Sequence, residues 1–303
     1  MKKDFKSGFI SIIGRANVGK STLMNRLVGE KIAIMSNKPQ TTRHQVRTIL
    51  TTDHFQAIFI DTPGIHNPKN KLGNFMVKAA QTTLNEVDII LFLVEPDTTV
   101  GKIEEEIIEK LKSVNSIVFL CINKIDGKNK KEILKSIECY KEIMNFQEII
   151  PISAYESINI DTLIKCILKY LPQGPQFFPN DMITDEPERQ LVAELIREKS
   201  LHLLDKEIPH GIAVEISAMK KRENSEIVDI EATIVCERDS HKRIIIGKNG
   251  QMIKNIGTNA RRDIERLLGS KIYLSLWVKV KKNWRDSEFL LKNYGYNKQE
   301  LKE

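Results

Sequence analysis

The sequence predicts an α/β domain followed by a smaller α+β domain, and three observations carry that prediction. Short apolar runs alternate with amphipathic stretches through the first half of the chain. A proline-rich break, "LPQGPQFFP", then falls at 171–179, and beyond it the order of patterns changes. At 303 residues the chain also exceeds the usual size of one hydrophobic core.

In the first half the strand candidates are "FISII" (9–13), "VRTIL" (46–50), "FQAIFI" (55–60), "VDIILFLV" (87–94), "SIVFLCI" (116–122) and "EIIPI" (148–152). Helical patterns such as "KIEEEIIEKLKSV" and "KKEILKSIECYKEI" lie between most of them. Continuous apolar strands separated by helices predict a mostly parallel six-stranded sheet covered on both faces. The runs at 46–50 and 55–60 are separated by a hairpin-length gap, so one edge strand is expected to be antiparallel.

Past the break, "EPERQLVAELIREKSLHLL" reads as a helix, and "GIAVEISAM" and "SEIVDIEATIVCE" as strands. "IIIGKNGQMIKNIG" reads as helix–turn–helix, and "KIYLSLWVKV" alternates apolar and polar residues as a half-buried strand. The order αββααβ predicts a small sheet with helices on one side. The expected boundaries are a first domain at 1–172, a linker at 173–184 and a second domain at 185–303.

The net charge of +7 is unevenly spread. Residues 181–240 hold 8 Lys/Arg and 15 Asp/Glu, whereas residues 241–285 hold 12 Lys/Arg against only Asp263 and Glu265. A basic block this dense is a footprint for a polyanion, with solvated surface charge as the plainer alternative. The four cysteines stand singly without CxxC spacing, as expected of buried thiols in a reducing cytoplasm. No apolar run reaches membrane-spanning length, and the start of the chain lacks a signal-peptide pattern, so a soluble cytoplasmic protein is expected.

"GRANVGKS" (14–21) follows the first apolar run and opens a helical pattern, matching GxxxxGK[ST]. Gly14 and Gly19 let the backbone wrap phosphate oxygens at a helix N-terminus, with Arg15, Ala16, Asn17, Val18 and Thr22 completing the cradle. Lys20 reaches the β- and γ-phosphates and Ser21 ligates Mg²⁺. A glycine turn entering a helix is the bland alternative for this motif alone. "DTPG" follows the third run. It places Asp61 at a strand end, where it would hold Mg²⁺, then Thr62 and Pro63, with the Gly64 amide offered to the γ-phosphate. It is also a good turn sequence. In "NKID", Asp126 can accept from both the ring N–H and the exocyclic amine of guanine, which adenine cannot offer. Asn123 braces that loop and the Lys124 stem covers the base. "SAY" (Ser153, Ala154, Tyr155) follows the next strand, where the Ala154 amide would meet the guanine carbonyl.

In this order these segments resemble the translation-factor-related P-loop GTPase family. The resemblance implies GTP as substrate, GDP as product and Mg²⁺ as cofactor. Thr41 and Thr42 in "QTTRHQ" are both candidates for the switch threonine. Relatives with "TTR" use the second, so Thr42 is preferred, with Lys20 and Gly64, for the catalytic machinery. Two departures bear on mechanism. Ras-like relatives carry a glutamine after DxxG, whereas Ile65 stands here, so slow intrinsic hydrolysis is expected. Relatives with Asn at position 17 can use a bound K⁺, while an asparagine that merely suits the loop is the alternative.

GxxG at Gly247, Lys248, Asn249 and Gly250 lies between two apolar helical segments. There a sugar–phosphate backbone can approach the glycine amides, clamping about four nucleotides of single strand. Lys242, Arg243, Lys248 and Lys254 would supply charge, and Ile245, Ile246 and Ile253 an apolar groove for bases. With αββααβ and the basic block, this resembles a type II KH domain. The G domain, linker and KH domain together resemble the bacterial Era GTPase family, most specifically in "SHKRIIIGKNGQMIKNIG". That resemblance implies action in small-ribosomal-subunit assembly, with the 3′ end of small-subunit ribosomal RNA and the small subunit as partners. It further implies peripheral association with the cytoplasmic face of the cell membrane, for which the sequence has no independent sign. "KVKKNWR" fits RNA phosphates at least as well as lipid.

The loops at 33–48 and 64–80 are expected to couple nucleotide state to RNA capture. The runner-up is a family GTPase serving RNA modification or large-subunit assembly, but the chain has no second G domain and no modification domain. A nucleotide-independent RNA-binding adaptor is opposed by intact Lys20, Ser21, Asp61 and Asp126, and a P-loop ATPase by Asp126.

Overall fold

The computed structural model describes residues 4–36, 38, 41–63, 70–84, 86–97 and 99–296, with only the backbone described at 80–84. The chain divides into two compact units.

The first unit carries a six-stranded sheet: β1 (Lys6–Gly14), β2 (Val46–Thr51), β3 (Phe55–Asp61), β4 (Ile89–Val94), β5 (Ile117–Ile122) and β6 (Glu148–Pro151). Its spatial order is β2-β3-β1-β4-β5-β6. Only β2 runs antiparallel, pairing β3 from Val46 opposite Asp61 to Thr51 opposite Gln56. Parallel pairing aligns the carboxyl ends of β1, β3 and β4, with Ile12 opposite Asp61 and Gly14 opposite Leu93. β3 and β4 are buried at every position, which is why they read as unbroken apolar runs. The helices are α1 (Lys20–Val28), α2 (Lys71–Leu84), α3 (Lys102–Leu111), α4 (Lys130–Lys141) and α5 (Ile160–Tyr170). On one face, Ile107, Ile108 and Leu111 pack with Phe92, Leu120, Tyr140 and Phe146. α4 starts on a full capping box in which the Asn129 side chain accepts from the Glu132 amide and the Glu132 carboxylate accepts from the Asn129 amide.

The stretch at 173–184 is not a free linker. Gln56, fully buried, donates to the Phe178 carbonyl (2.9 Å) and accepts from the amides of Phe177 (2.8 Å) and Phe178 (2.9 Å). Ser7 donates to the Pro175 carbonyl at 2.6 Å, Thr184 to the Arg47 carbonyl at 2.7 Å, and Phe177 meets the Phe9 ring. Proline-rich composition signals a chain short of its own donors. It does not reveal that a neighbouring strand supplies them.

The second unit takes in Ile34–Thr41, Lys69–Phe75 and everything from Glu186 onward. Its order is α6 (Glu188–Leu203), β7 (Ala213–Lys221), β8 (Val228–Cys236), α7 (Asp239–Ile246), α8 (Gln251–Leu268) and β9 (Ile272–Val280), the αββααβ pattern read from the sequence, followed by a short α9 (Glu288–Asn293). β8 lies between antiparallel β7 and parallel β9. Val192 and Ile196 of α6, Ile245 of α7 and Ile256, Ala260 and Ile264 of α8 form the core with Ile230, Ala232 and Ile234. Trp284 is fully buried, donates to the Gly211 carbonyl at 2.9 Å and stacks on Tyr296. It anchors the end of "KVKKNWR", whose Arg285 pairs with Glu237 at 2.5 Å.

The grouping of 34–41 with this unit has no signature in the sequence. Among the groups that hold it are two charged residues of α6 that are almost fully buried, Arg197 and Glu198, besides His202 on the Met35 carbonyl and Lys38 on Asp205. Glu198 accepts from the Met35 amide at 2.9 Å and pairs with Lys199 at 2.7 Å. Arg197 pairs with Glu194 at 2.5 Å and donates to the Thr41 carbonyl. Of the cysteines, Cys121 and Cys236 are buried and Cys139 and Cys166 half-buried, all of them free. No helix among the described residues is long and apolar enough to cross a membrane.

Candidate functional site

The phosphate cradle begins where β1 ends. Gly14 has φ +152°, and a Cβ there would lie 2.5 Å from the Leu93 carbonyl oxygen, so the close approach of β4 demands glycine. Gly19 has φ +104° and a Cβ would strike the Asn123 side chain at 2.3 Å. Asn17 adopts φ +65°, a left-handed conformation that asparagine tolerates better than most residues. That alone gives position 17 a local reason for its identity.

α1 opens at Lys20, whose Nζ donates to the carbonyls of Gly14 (3.1 Å) and Arg15 (2.9 Å), inside the loop where phosphates would lie. Burial pushes the Lys20 ammonium down and the Asp61 carboxyl up, and their mutual attraction opposes both shifts. Asp61 stands fully buried at the end of β3. One of its oxygens, Oδ2, accepts from the hydroxyls of Ser21 (2.8 Å) and Thr42 (2.9 Å), which lie 3.2 Å from each other. The other, Oδ1, is buried with no hydrogen-bond partner among the described residues. Three oxygen-bearing side chains from three separate segments thus meet beside a buried ammonium. A hard divalent cation favours such oxygen donors, and an orphaned carboxylate oxygen is what its arrival would satisfy.

Thr41 faces elsewhere. Its hydroxyl donates to the Lys38 carbonyl at 2.6 Å, and its own carbonyl accepts from Arg197. Thr62 is buried and donates to the Ile12 carbonyl at 3.1 Å, fixing the turn after β3. Pro63 is buried as well. Gly64 and Ile65 lie outside the described residues.

The base-side loop follows β5. Asn123 is buried; its Nδ2 donates to the Val18 carbonyl (2.8 Å) and its Oδ1 accepts from the Ala154 amide (2.9 Å), lacing three loops together. Asp126 Oδ1 accepts from the Ser153 hydroxyl at 2.5 Å, which orients the carboxylate. Ser153 in turn accepts from the Glu156 amide at 3.1 Å. Arg26 donates to the carbonyls of Ala154 (3.3 Å) and Tyr155 (2.8 Å), while the Tyr155 side chain stays exposed. The Ala154 amide is therefore committed to Asn123, and a guanine carbonyl would have to share or replace that bond. The sequence has no means of foretelling this.

In the second unit, Gly247 and Gly250 take φ +74° and +75°, and Asn249 φ +51°. A Cβ at Gly247 would lie 2.6 Å from Met252 Cβ and 2.9 Å from its backbone nitrogen, whereas one at Gly250 would meet nothing within 4 Å. Gly247 is therefore required by packing, and Gly250 leaves open space over which another backbone can pass. Arg243, Lys248, Asn249 and Lys254 are exposed and Lys242 half-exposed. Ile245 does not line the groove expected for bases. Ile245 is fully buried in the core and cannot meet a base, because the α7 turn points it inward. Ile246 and Ile253 remain half-buried, and Ile244, which the sequence reading passed over, is 49% exposed.

The family model described as a 50S ribosome-binding GTPase matches residues 9–124, and that of the KH domain matches 207–285. The chain is 59% identical to GTPase Era of Alkaliphilus metalliredigens over 292 residues, 96% of this chain and 99% of that relative. It is likewise 59% identical to GTPase Era of Clostridioides difficile, over 97% of this chain and 99% of the relative. This chain belongs to the Era GTPase family. Among solved structures, Aquifex aeolicus Era bound to GDP and aluminium fluoride aligns with a TM-score of 0.93 at 43% identity, covering 96% of this chain and 99% of that one. Era in complex with MgGDPNP and nucleotides 1506–1542 of 16S ribosomal RNA aligns equally well. As a member of the Era family, the chain carries both expected domains, a P-loop GTPase domain and a KH domain.

The two glycines of the KH loop give opposed expectations. Gly247→Ala forces a side chain into the left-handed region and into Met252, at about 1–3 kcal/mol for the conformation alone, and should lower the melting temperature visibly. Gly250→Ala bears the same conformational cost without the clash, so it should lower the melting temperature less, and its distinguishing effect should be weaker binding of a short single-stranded RNA, read by fluorescence anisotropy.

Proposed function

We propose that this chain binds and hydrolyses GTP in its first domain. Its KH domain holds the single-stranded 3′ end of small-subunit ribosomal RNA, and the two together serve assembly of the small ribosomal subunit in the cytoplasm. The reading rests most heavily on one observation: Ser21, Thr42 and Asp61 converge beside Lys20 with Asp61 Oδ1 unpartnered among the described residues.

The cradle amides between Gly14 and Ser21 take the β-phosphate, and the Lys20 ammonium exchanges its carbonyl partners for β- and γ-oxygens. Ser21, Thr42 and Asp61 would hold Mg²⁺, which when bound neutralises charge on the phosphates. Asp126, held by Ser153, accepts from guanine N1–H and the 2-amino group, with Asn123 as the brace and Lys124 over the base. Water adds to the γ-phosphorus as its bond to the bridging oxygen breaks, giving GDP and phosphate. Ile65 offers no polar group to orient that water, so turnover is slow without help. A K⁺ beside Asn17 is the finer reading of where help comes from. Replacing K⁺ by Na⁺ should then slow hydrolysis about tenfold or more, and an unchanged rate excludes it. The Gly64 amide is assigned to the γ-phosphate, so that the loop after it and the Thr42 segment respond to hydrolysis.

On the RNA side the backbone crosses the Gly247–Gly250 turn. Lys242, Arg243, Lys248 and Lys254 face phosphates, and bases lie toward Ile246 and Ile253. A peripheral location at the cytoplasmic face of the membrane is supported only by family resemblance. Sedimentation with anionic vesicles in the presence of competing RNA tests it.

The threonine assignment is tested directly. Thr42→Ala should slow Mg²⁺-dependent hydrolysis at saturating GTP by about 10- to 100-fold, whereas Thr41→Ala, whose hydroxyl serves only its own turn, should leave it within about twofold. Equal effects of the two would overturn the assignment.

A further inference from the structure

Glu95 stands immediately after β4, between the phosphate cradle and the base loop, and neither motif includes it. Each of its carboxylate oxygens meets a cation from a different loop. Oε1 lies 2.5 Å from Lys124 Nζ, and Oε2 lies 2.8 Å from Arg15 Nη2. Lys124 Nζ also donates to the Asn17 carbonyl at 2.8 Å, which closes a ring from cradle to strand end to base loop and back. Both Asn17 and Lys124 sit at φ +65°, so the ring joins two backbone positions that are costly to hold.

We propose that Glu95 is a positioning residue that ties the phosphate loop to the guanine loop, so that neither nucleotide end is released independently of the other. The inference rests on reading this cradle as the GTP site.

The other contacts isolate what Glu95 alone does. Without it Arg15 still faces Asp97 (3.3 Å) and the buried Glu104 (3.3 Å), and Lys124 keeps the Asn17 carbonyl. Each loop would keep its local shape, and the direct bonds from Lys124 to the Asn17 carbonyl and from Asn123 to the Val18 carbonyl would remain, so the change removes the charged link alone. The Glu95 side chain is 26% exposed, so the pairs are partly screened and the effect is one of release rate rather than of folding. Burial works to raise the Glu95 pKa, but Lys124 and Arg15 prevail and hold it below the usual carboxylate range.

The test is stopped-flow release of a fluorescent GDP analogue from the full chain, comparing wild type, Glu95→Gln and Glu95→Asp. Release should quicken about three- to tenfold in Glu95→Gln, the scale of one partly exposed charge network. Glu95→Asp, too short to reach both cations, should not restore it. In double variants with Lys124→Ala or with Arg15→Ala, the Glu95→Gln effect should largely vanish, since a tie needs the cation at each end. The nucleotide-free melting temperature should stay near wild type in Glu95→Gln. Wild-type release in Glu95→Gln, or additive effects with both partners, overturns the tie. A wild-type chain that binds no GDP at all overturns the GTP-site reading instead, so the two failures are distinct.

Discussion

Asp126→Asn should lower GTP affinity by about 10³-fold and turn the site toward xanthosine triphosphate. The substitution would replace a carboxylate that accepts two hydrogen bonds from one base edge with a mismatched amide, and a polar group left unpaired against a base edge discriminates strongly. Asn at 126 would still accept from the ring N–H. Its amino group, however, would face guanine's amino group, donor against donor. Xanthine carries a carbonyl there, which the new amide can satisfy. Ser153, which now donates to Asp126 Oδ1 at 2.5 Å, would fix the asparagine oxygen between its hydroxyl and the ring N–H and so turn the nitrogen toward the base's 2-substituent. Competition of GTP, XTP and ATP against a labelled nucleotide checks this. Unchanged GTP affinity would mean that Asp126 does not read the base.

Lys20→Met should be comparably severe. An ammonium about 4 Å from a phosphate charge at the edge of a protein interior is worth about 4 kcal/mol, close to a thousandfold in affinity. The residue is buried and already inside the cradle on the Gly14 and Arg15 carbonyls, so its donors need only swap acceptors when phosphate arrives. Methionine keeps most of the volume. Both GTP and GDP binding should therefore collapse by about 10³-fold in calorimetry, with no detectable hydrolysis. RNA binding by the KH loop, measured on the same variant, should persist. Loss of both activities would point to a folding defect rather than to the lost charge.

Much of this was legible in the sequence because the relevant physics is local. Strand-end motifs announce themselves where a buried apolar run stops at a glycine, a carboxylate or a carboxamide, as at Gly14, Asp61 and Asn123. The αββααβ order survives because each element carries its own periodicity. What escaped depends on partners distant in sequence. The proline-rich stretch at 173–184 reads as a linker until buried Gln56 supplies its hydrogen bonds. Ile245 and Ile246 are chemically alike, and only the α7 turn decides which is core. Arg197 and Glu198 look like the solvent side of a helix, yet they are buried against the 34–41 segment. Glu95 had one faint mark, a charge placed directly after six buried strand residues.

Capture of the 3′ end of small-subunit ribosomal RNA is most directly measured by crosslinking in cells followed by sequencing of the bound RNA, with wild type against the double variant Lys248→Asp/Asn249→Asp. Both residues are exposed on the turn between Gly247 and Gly250, so the change should spare the fold while placing two carboxylates against RNA phosphates. Reads stacked at the 3′ end of small-subunit ribosomal RNA in wild type, and lost in the variant, are the predicted result. Reads spread over other RNAs, or unchanged by the substitution, would contradict the RNA assignment and leave only the nucleotide half of the account standing.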